Sequence, residues 1–428
     1  MSNEKFVKKA LEEGAGIVRL APAWVPRTSP PGGRMKLAPQ DLFALGVERG
    51  GFCERWFASA ARADNGPGTP EDEGMSYIVI KEGSKFNRVL FKDAVGFDGE
   101  TFIGKAMFRK YKGWPIFSKF YDYLYAIPFH LHLREEHALK VGRQPKPEAY
   151  YFPPQLNAIP GRFPYTFFGL NSGTTKADIK RCLQRWNKGD NGVLNYSRAY
   201  TITPGTGWVI PAGILHAPGT LVTYEPQWGS DVASMYQSKV EDRLIPWSNV
   251  IKDVPIDRQK DLDYIIDLID WEVNLDQNFK EHHYVEPKPV KNTREMQEEG
   301  YLENWITYGT ELFSAKELTI LPMKSVKIKD SAAYGLIVVQ GHGTFGGFEA
   351  ESPTMIRYEE MTNDELFVTI GAAKDGIKIE NKSSKENLVI LKHFGPENPD
   401  VPKLNTQHRQ DLEVTYPTPL LQVTSCNV

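Results

Sequence analysis

His130-Leu131-His132, then Lys146-Pro147-Glu148, and later Pro211-Ala212-Gly213-Ile214-Leu215-His216 are the stretches on which the reading of this chain turns. On a β-strand, residues two apart point to the same side, so His130 and His132 are expected to aim both imidazoles into one interior. Glu148 leads the strand-like run Ala149-Tyr150-Tyr151-Phe152, and His216 follows a Pro/Gly turn and opens another apolar stretch. Each can reach the same interior from a neighbouring strand. Three imidazoles and a carboxylate suit one divalent metal ion: zinc first, with iron, manganese, nickel and cobalt open, because choosing among them needs geometry.

A lone His-x-His arises readily by accident on an alternating strand; the Pro-Ala-Gly-x-x-His turn and the strand-leading Glu make a metal site the better reading. Glu136 competes with Glu148 for the carboxylate position. The residues after it, His137-Ala138-Leu139-Lys140-Val141-Gly142, do not read as a strand, and Glu148 is preferred.

On these residues the chain resembles the cupins, and more narrowly the type I mannose-6-phosphate isomerases. Gly113-Trp114-Pro115-Ile116-Phe117-Ser118-Lys119-Phe120-Tyr121-Asp122 is similar to the family segment that leads into a Gln-x-His metal motif, with His130 in place of the Gln. Lys146-Pro147-Glu148, the turn ending at His216-Ala217, the acid Glu225 and the pair Ser230-Asp231 also match. Glu54-Arg55-Trp56 is a looser echo. The resemblance covers residues 50 to 240 and is most specific from 113 to 232. It implies a mainly β fold of two jelly-roll cupin barrels, a helical insert in the first, and an aldose-ketose isomerase. One departure stands out: the family's Arg shortly after the Ser-Asp pair is missing from Val232-Ala233-Ser234-Met235-Tyr236. A guanidinium is the usual means of holding a phosphate, so a non-phosphorylated sugar becomes the expected substrate, with Arg243 the nearest substitute cation.

Composition sets the outer limits. The chain has 428 residues, 41% hydrophobic and 25% charged, enough for two or three domains with buried cores. A net charge of −3 and the lack of a basic block exclude the electrostatic footprint of a nucleic-acid binder. A polar amino terminus and the lack of a long apolar run predict neither a leader nor a membrane span, and hence a cytoplasmic protein. Cys53, Cys182 and Cys426, odd in number and far apart, fit a reducing compartment. The expected partner is a small-molecule sugar or sugar phosphate, with self-association as a homodimer left open.

Along the chain, residues 1–74 read as an amino-terminal arm and the start of the first barrel; Pro22 to Gly33 is too rich in Pro and Gly for a regular element. Residues 75–250 read as the metal-binding barrel, with a helical insert at 172–190 that opens on a Thr-x-x-Asp capping box. Residues 251–298 read as a helical linker, with Leu262, Ile265, Ile266 and Ile269 on one helix face. Residues 299–428 read as a second, metal-free cupin barrel and a tail. His282, His283, His342 and His393 read as structural or exposed.

The isomerase chemistry implied by the resemblance needs an electrophile beside the substrate carbonyl and a group that moves a proton between neighbouring carbons. The metal, held by His130, His132, Glu148 and His216, supplies the first. Glu225, nine residues past His216, is the first candidate for the second; Lys119 and Lys146 match family active-site lysines and are candidates for moving protons or steadying the enediolate. Trp24, Trp56, Tyr151, Phe152 and Trp228 are candidates for a sugar-stacking wall. Two other readings stay open. Three His and a Glu also suit a cupin dioxygenase, and a two-barrel cupin can bind a sugar without turning it over.

Overall fold

A computed structural model describes residues 2–82, 85–158 and 164–402, so Cys426 and the end of the tail lie outside the described residues. The chain folds into two sandwiches of antiparallel strands, each made of a larger and a smaller open sheet. In the first, the larger sheet runs in the order Tyr284–Val285, Gly207–Ile210, Glu148–Tyr151, Thr223–Trp228, Ile116–Tyr121, Gly51–Phe57 and Ala23–Arg27. The smaller runs Ser197–Thr201, Tyr165–Leu170, His216–Ala217, His130–Leu131 and Ser234–Met235. The carboxylate candidate thus stands on one sheet and the three histidines on or beside the other.

In the second sandwich the larger sheet has nine strands. Six come from the carboxy-terminal part, and three are supplied by the start of the chain: Ile17–Leu20 pairs with Glu365–Val368 on one side and with Tyr77–Glu82 on the other, and Lys85–Leu90 forms the edge. These early strands belong to the second unit's sheet rather than opening the first barrel. Local sequence records that they are strands but not their distant partner, because pairing is set by packing across hundreds of residues. Ser325–Ile328, Ile377–Asn381, His342–Phe345 and Phe348–Glu351 form the smaller sheet.

Leu388–Phe394 shows why the units pack tightly. It lies inside the nine-stranded sheet, with every residue buried. Alternate side chains leave its two faces, so Lys392 turns into its own unit toward Asp330 while His393 reaches Ser118 and Tyr224 of the other. Phe120, Tyr151 and Tyr224 of the first unit share a core with Ile337, Val389 and Leu391 of the second.

Helices follow the sequence signals with one difference. Asn3–Glu13 is capped by the Ser2 hydroxyl and buries Phe6, Val7, Ala10 and Leu11. Lys176–Gln184 opens on a complete capping box between Thr175 and Asp178. The long apolar stripe at 256–283 is broken into Leu262–Asp267, Trp271–Asn274 and Phe279–His283. Asp261 opens the first and Asp270 restarts the second, because their carboxylates accept the N–H groups of Asp263 and Tyr264 and of Val273. Its buried Ile265, Ile266 and Ile269 pack with Ile179 and Leu183 of the insert, on the first unit. The Pro/Gly-rich arm also holds a regular element, Ala23–Arg27. As an edge strand with a register shift at Val25/Pro26, it tolerates a residue that cannot donate to a ladder. No helix among the described residues is long and apolar enough to cross a membrane.

Candidate metal centre

His130 and His216 face each other across paired strands, and His132 follows on the same side. Their ring centroids lie 4.2 to 5.0 Å apart, and their ligand nitrogens lie within 4.8 Å of one another. Each Nδ1 is set against a backbone carbonyl: Pro128 at 2.7 Å for His130, Val232 at 2.7 Å for His132 and Ile214 at 2.8 Å for His216. A carbonyl only accepts, so the proton is assigned to Nδ1 and each Nε2 keeps its lone pair for the interior. Burial pushes His130 well below the usual imidazole range, and burial with the neighbouring Lys146 brings His132 down to about 4; both rings are neutral, as ligands must be.

Glu148 faces them from the other sheet, Oε2 3.0 Å from His132 Nε2 and Oε1 3.2 Å from His216 Nε2. With the proton on Nδ1, His216 Nε2 and Glu148 Oε1 are two buried acceptors face to face, and neither has a hydrogen-bond partner. That arrangement is costly unless a cation lies between them. Four donors set around a zinc-like ion in a tetrahedron stand roughly 3.3 Å from one another, a spacing that Glu148 meets against His132 and His216. His130, His132 and His216 therefore fit a divalent ion by donor chemistry and proximity, and Glu148 faces two of them from the other sheet. Glu136, the competing carboxylate, is half exposed and pairs with Arg134 at 3.0 Å.

Beside the cage lies a buried row of alternating charge. Lys146 Nζ donates to Glu148 Oε2 at 2.6 Å, to His132 Nε2 at 2.9 Å and to Glu225 Oε1 at 3.3 Å. Glu225 also lies 3.2 Å from Lys119, its directly paired neighbour across the strands, and Lys119 lies 3.5 Å from Glu54. Burial and the nearby Glu148 outweigh the two lysines and raise the Glu225 carboxyl to about 8. Burial works against charge on Lys146 and on Glu148, but each supports the other's ionised form: Lys146 is raised and Glu148 held well below the usual range. Lys146 thus engages Glu148 Oε2 and His132 Nε2, atoms of two residues that would hold the ion.

The row ends in a cation that the sequence reading missed. Arg27, on the arm strand, binds Glu54 through Nε at 3.0 Å and Nη2 at 3.1 Å, and reaches Asp231 at 3.1 Å. The first cavity, about 200 Å³, is walled by this row, the cage residues, Tyr121, Tyr123 and Tyr150, and Arg243. Arg243 donates to Ser29 Oγ at 2.9 Å, but its buried Nε and Nη2 have no hydrogen-bond partner. The expected stacking residues do not line it. Trp24 packs on Phe52, the Trp56 indole N–H is spent on Glu54, Tyr151 binds Glu317, Phe152 is core, and Trp228 faces a different cavity. An Arg held by two acids was findable only as a cation near a Glu-x-Trp motif; its distance in sequence hid it.

No family model matches the sequence, and no curated relative matches it. Solved structures do. The mannose 6-phosphate isomerase from Bacillus subtilis superposes with a TM-score of 0.57 at 14% identity, over 88% of this chain and 99% of that one. A putative mannosephosphate isomerase from Archaeoglobus fulgidus gives 0.57 at 14%, over 89% and 97%. A mannose 6-phosphate isomerase bound with zinc and yttrium gives 0.55 at 11%, over 89% and 100%. Across nearly its whole described length, this chain has the cupin fold of the phosphomannose isomerases.

Proposed function

We propose that the protein is a metal-dependent aldose-ketose isomerase working through an enediol. The observation that carries this reading is Glu225, a buried carboxyl raised to about 8 between Lys119 and Lys146 and next to a three-His, one-Glu cage. A group that gains and loses its proton near neutrality is matched to taking a proton from one carbon and returning it to the next. Lys146 stays protonated and steadies negative charge developing on the substrate oxygens, with Lys119 on the far side of Glu225. The ion, zinc in this reading, supplies Lewis-acid polarisation of the carbonyl when bound by His130, His132, Glu148 and His216. Arg27 positions Glu54, which in turn holds Lys119.

The stretch directly after Ser230-Asp231, Val232-Ala233-Ser234-Met235-Tyr236, carries no cation, which favours a free sugar. Arg243, with two unpartnered N–H groups in the cavity wall, supports a phosphorylated one as the second substrate reading. The test is NMR of metal-loaded protein in D2O with free and 6-phosphorylated aldoses and ketoses. Interconversion with deuterium entering at the exchanging carbon is the expected result. No conversion across the panel with metal bound, together with oxygen uptake, would overturn the isomerase and favour a dioxygenase, the chemistry that the three-His, one-Glu donor set also suits.

A further inference from the structure

The second unit holds its own cavity, about 390 Å³, with walls from both of its sheets. Its floor is charged. Lys316 and Glu303 are each 4% exposed, with Asp330 and Lys392 buried behind them. Asp330 binds Lys316 at 2.6 Å and Lys392 at 2.7 Å, and Lys392 also pairs with Glu303. Glu303 lies 3.7 Å from Lys316, beyond hydrogen-bond reach, so the Lys316 ammonium spends one of three donors on Asp330 and rests 4.5 Å from the centre of the Trp305 ring. Well-packed apolar residues often stabilise a core as well as a buried ion cluster does, so the fold alone does not call for these charges.

The rim adds a second observation. Lys327, on the smaller sheet, and Lys329, just past the end of its strand, both line this rim, and neither side chain makes an ion pair or hydrogen bond among the described residues. Gly376 lies so close beneath them that an added Cβ would come within 2.7 Å of Lys329 Cγ and 3.0 Å of Lys327 Cε. Lys327 also stands directly across the strand pair from Lys378. Lys378 is paired with Glu380 at 2.5 Å, so Lys327 is the member of that cross-strand pair left without a counter-charge. Asp400, the acid at this rim, is engaged with Ser331 at 2.9 Å.

The geometry points to a second ligand site in this cavity, for a small hydroxylated anion. Its phosphate or carboxylate lies between Lys327, Lys329 and Lys316, its hydroxyls reach Glu303, and its C–H face lies on Trp305. This site is separate from the histidine cage and does not depend on the isomerase reading.

Isothermal titration calorimetry of the full chain with inorganic phosphate, D-gluconate and D-gluconate 6-phosphate tests it. Saturable, salt-sensitive binding of at least one probe is expected, weakened about tenfold or more in Lys327→Glu/Lys329→Glu and unchanged in Arg243→Met. The probe that binds tells whether phosphate or carboxylate is read. Both lysines are exposed, so the double variant should keep the parent's thermal unfolding. The proposal is overturned if no probe saturates below about 10 mM. It is also overturned if binding survives the double Glu variant and is lost in Arg243→Met, which would assign the ligand to the first cavity.

Discussion

Replacing Arg55 with Met should be one of the most damaging single changes in the molecule. Arg55 leaves the Gly51–Phe57 strand on the face opposite Glu54 and clasps Asp364 of the second unit with two hydrogen bonds of 2.7 Å. The guanidinium is 3% exposed and Asp364 2%, and Glu365 lies a further 3.4 Å away. Burial raises the Glu365 carboxyl to about 8 despite Arg55, so the variant leaves it neutral. Asp364 keeps a single side-chain donor, the Thr362 hydroxyl at 2.5 Å. Removing one partner of a buried pair costs about 3–5 kcal/mol, a large share of a total stability of about 5–15 kcal/mol. Urea unfolding followed by circular dichroism reads this as a lower midpoint. Arg55→Met/Asp364→Leu should recover most of the loss. A single-variant loss below about 1 kcal/mol, or a double variant as weak as the single, would refute the view that an uncompensated charge is the cost.

Three further outcomes follow from the site and the interface. His216→Ala should abolish stoichiometric zinc measured by plasma emission on the dialysed protein, lowering affinity beyond the about 10–100-fold typical of losing a partner that only orients a ligand. Glu225→Gln should cut deuterium incorporation about 10²–10⁴-fold while leaving bound metal unchanged; loss of both together would make Glu225 a support for the cage instead. His393, buried against Ser118 and Tyr224, is held down to about 3, below its unfolded value of about 6.5. Between those values the unfolded chain binds the extra proton, so this stability is fully present above about pH 6.5 and falls by about 2 kcal/mol at pH 5. Thermal unfolding at the two pH values should show that drop in the parent and a flatter profile in His393→Leu.

The cage was legible because its spacing is local. His130 and His132 sit two apart, Glu148 opens a strand, and a Pro/Gly turn delivers His216. The insert helix was legible through Thr175 and Asp178, which need only each other. What sequence hid was long-range or competitive. Arg27 reads as a loop residue until its strand finds the sheet edge and Glu54 and Asp231 close around it. The helix starts at Asp261 and Asp270 lay inside an uninterrupted apolar period, where a carboxylate's hydrogen bond to the backbone outweighs the stripe. The aromatic residues pointed the wrong way because composition records how many rings exist and not which face of a strand each one takes.

The seating of Ile17–Leu20 between Tyr77–Glu82 and Glu365–Val368 bears on how this chain comes into being. The strand's carboxy-terminal partner leaves the ribosome roughly 350 residues later, which at ordinary synthesis rates is about 20–70 s. Through that interval Ile17, Val18 and Leu20, all buried in the finished sheet, have an open ladder on one side. The two sandwiches are therefore not sequential folding units. A chain cut between them would leave the second without three of its nine strands, so expression of either half alone should give aggregation rather than a stable half-molecule.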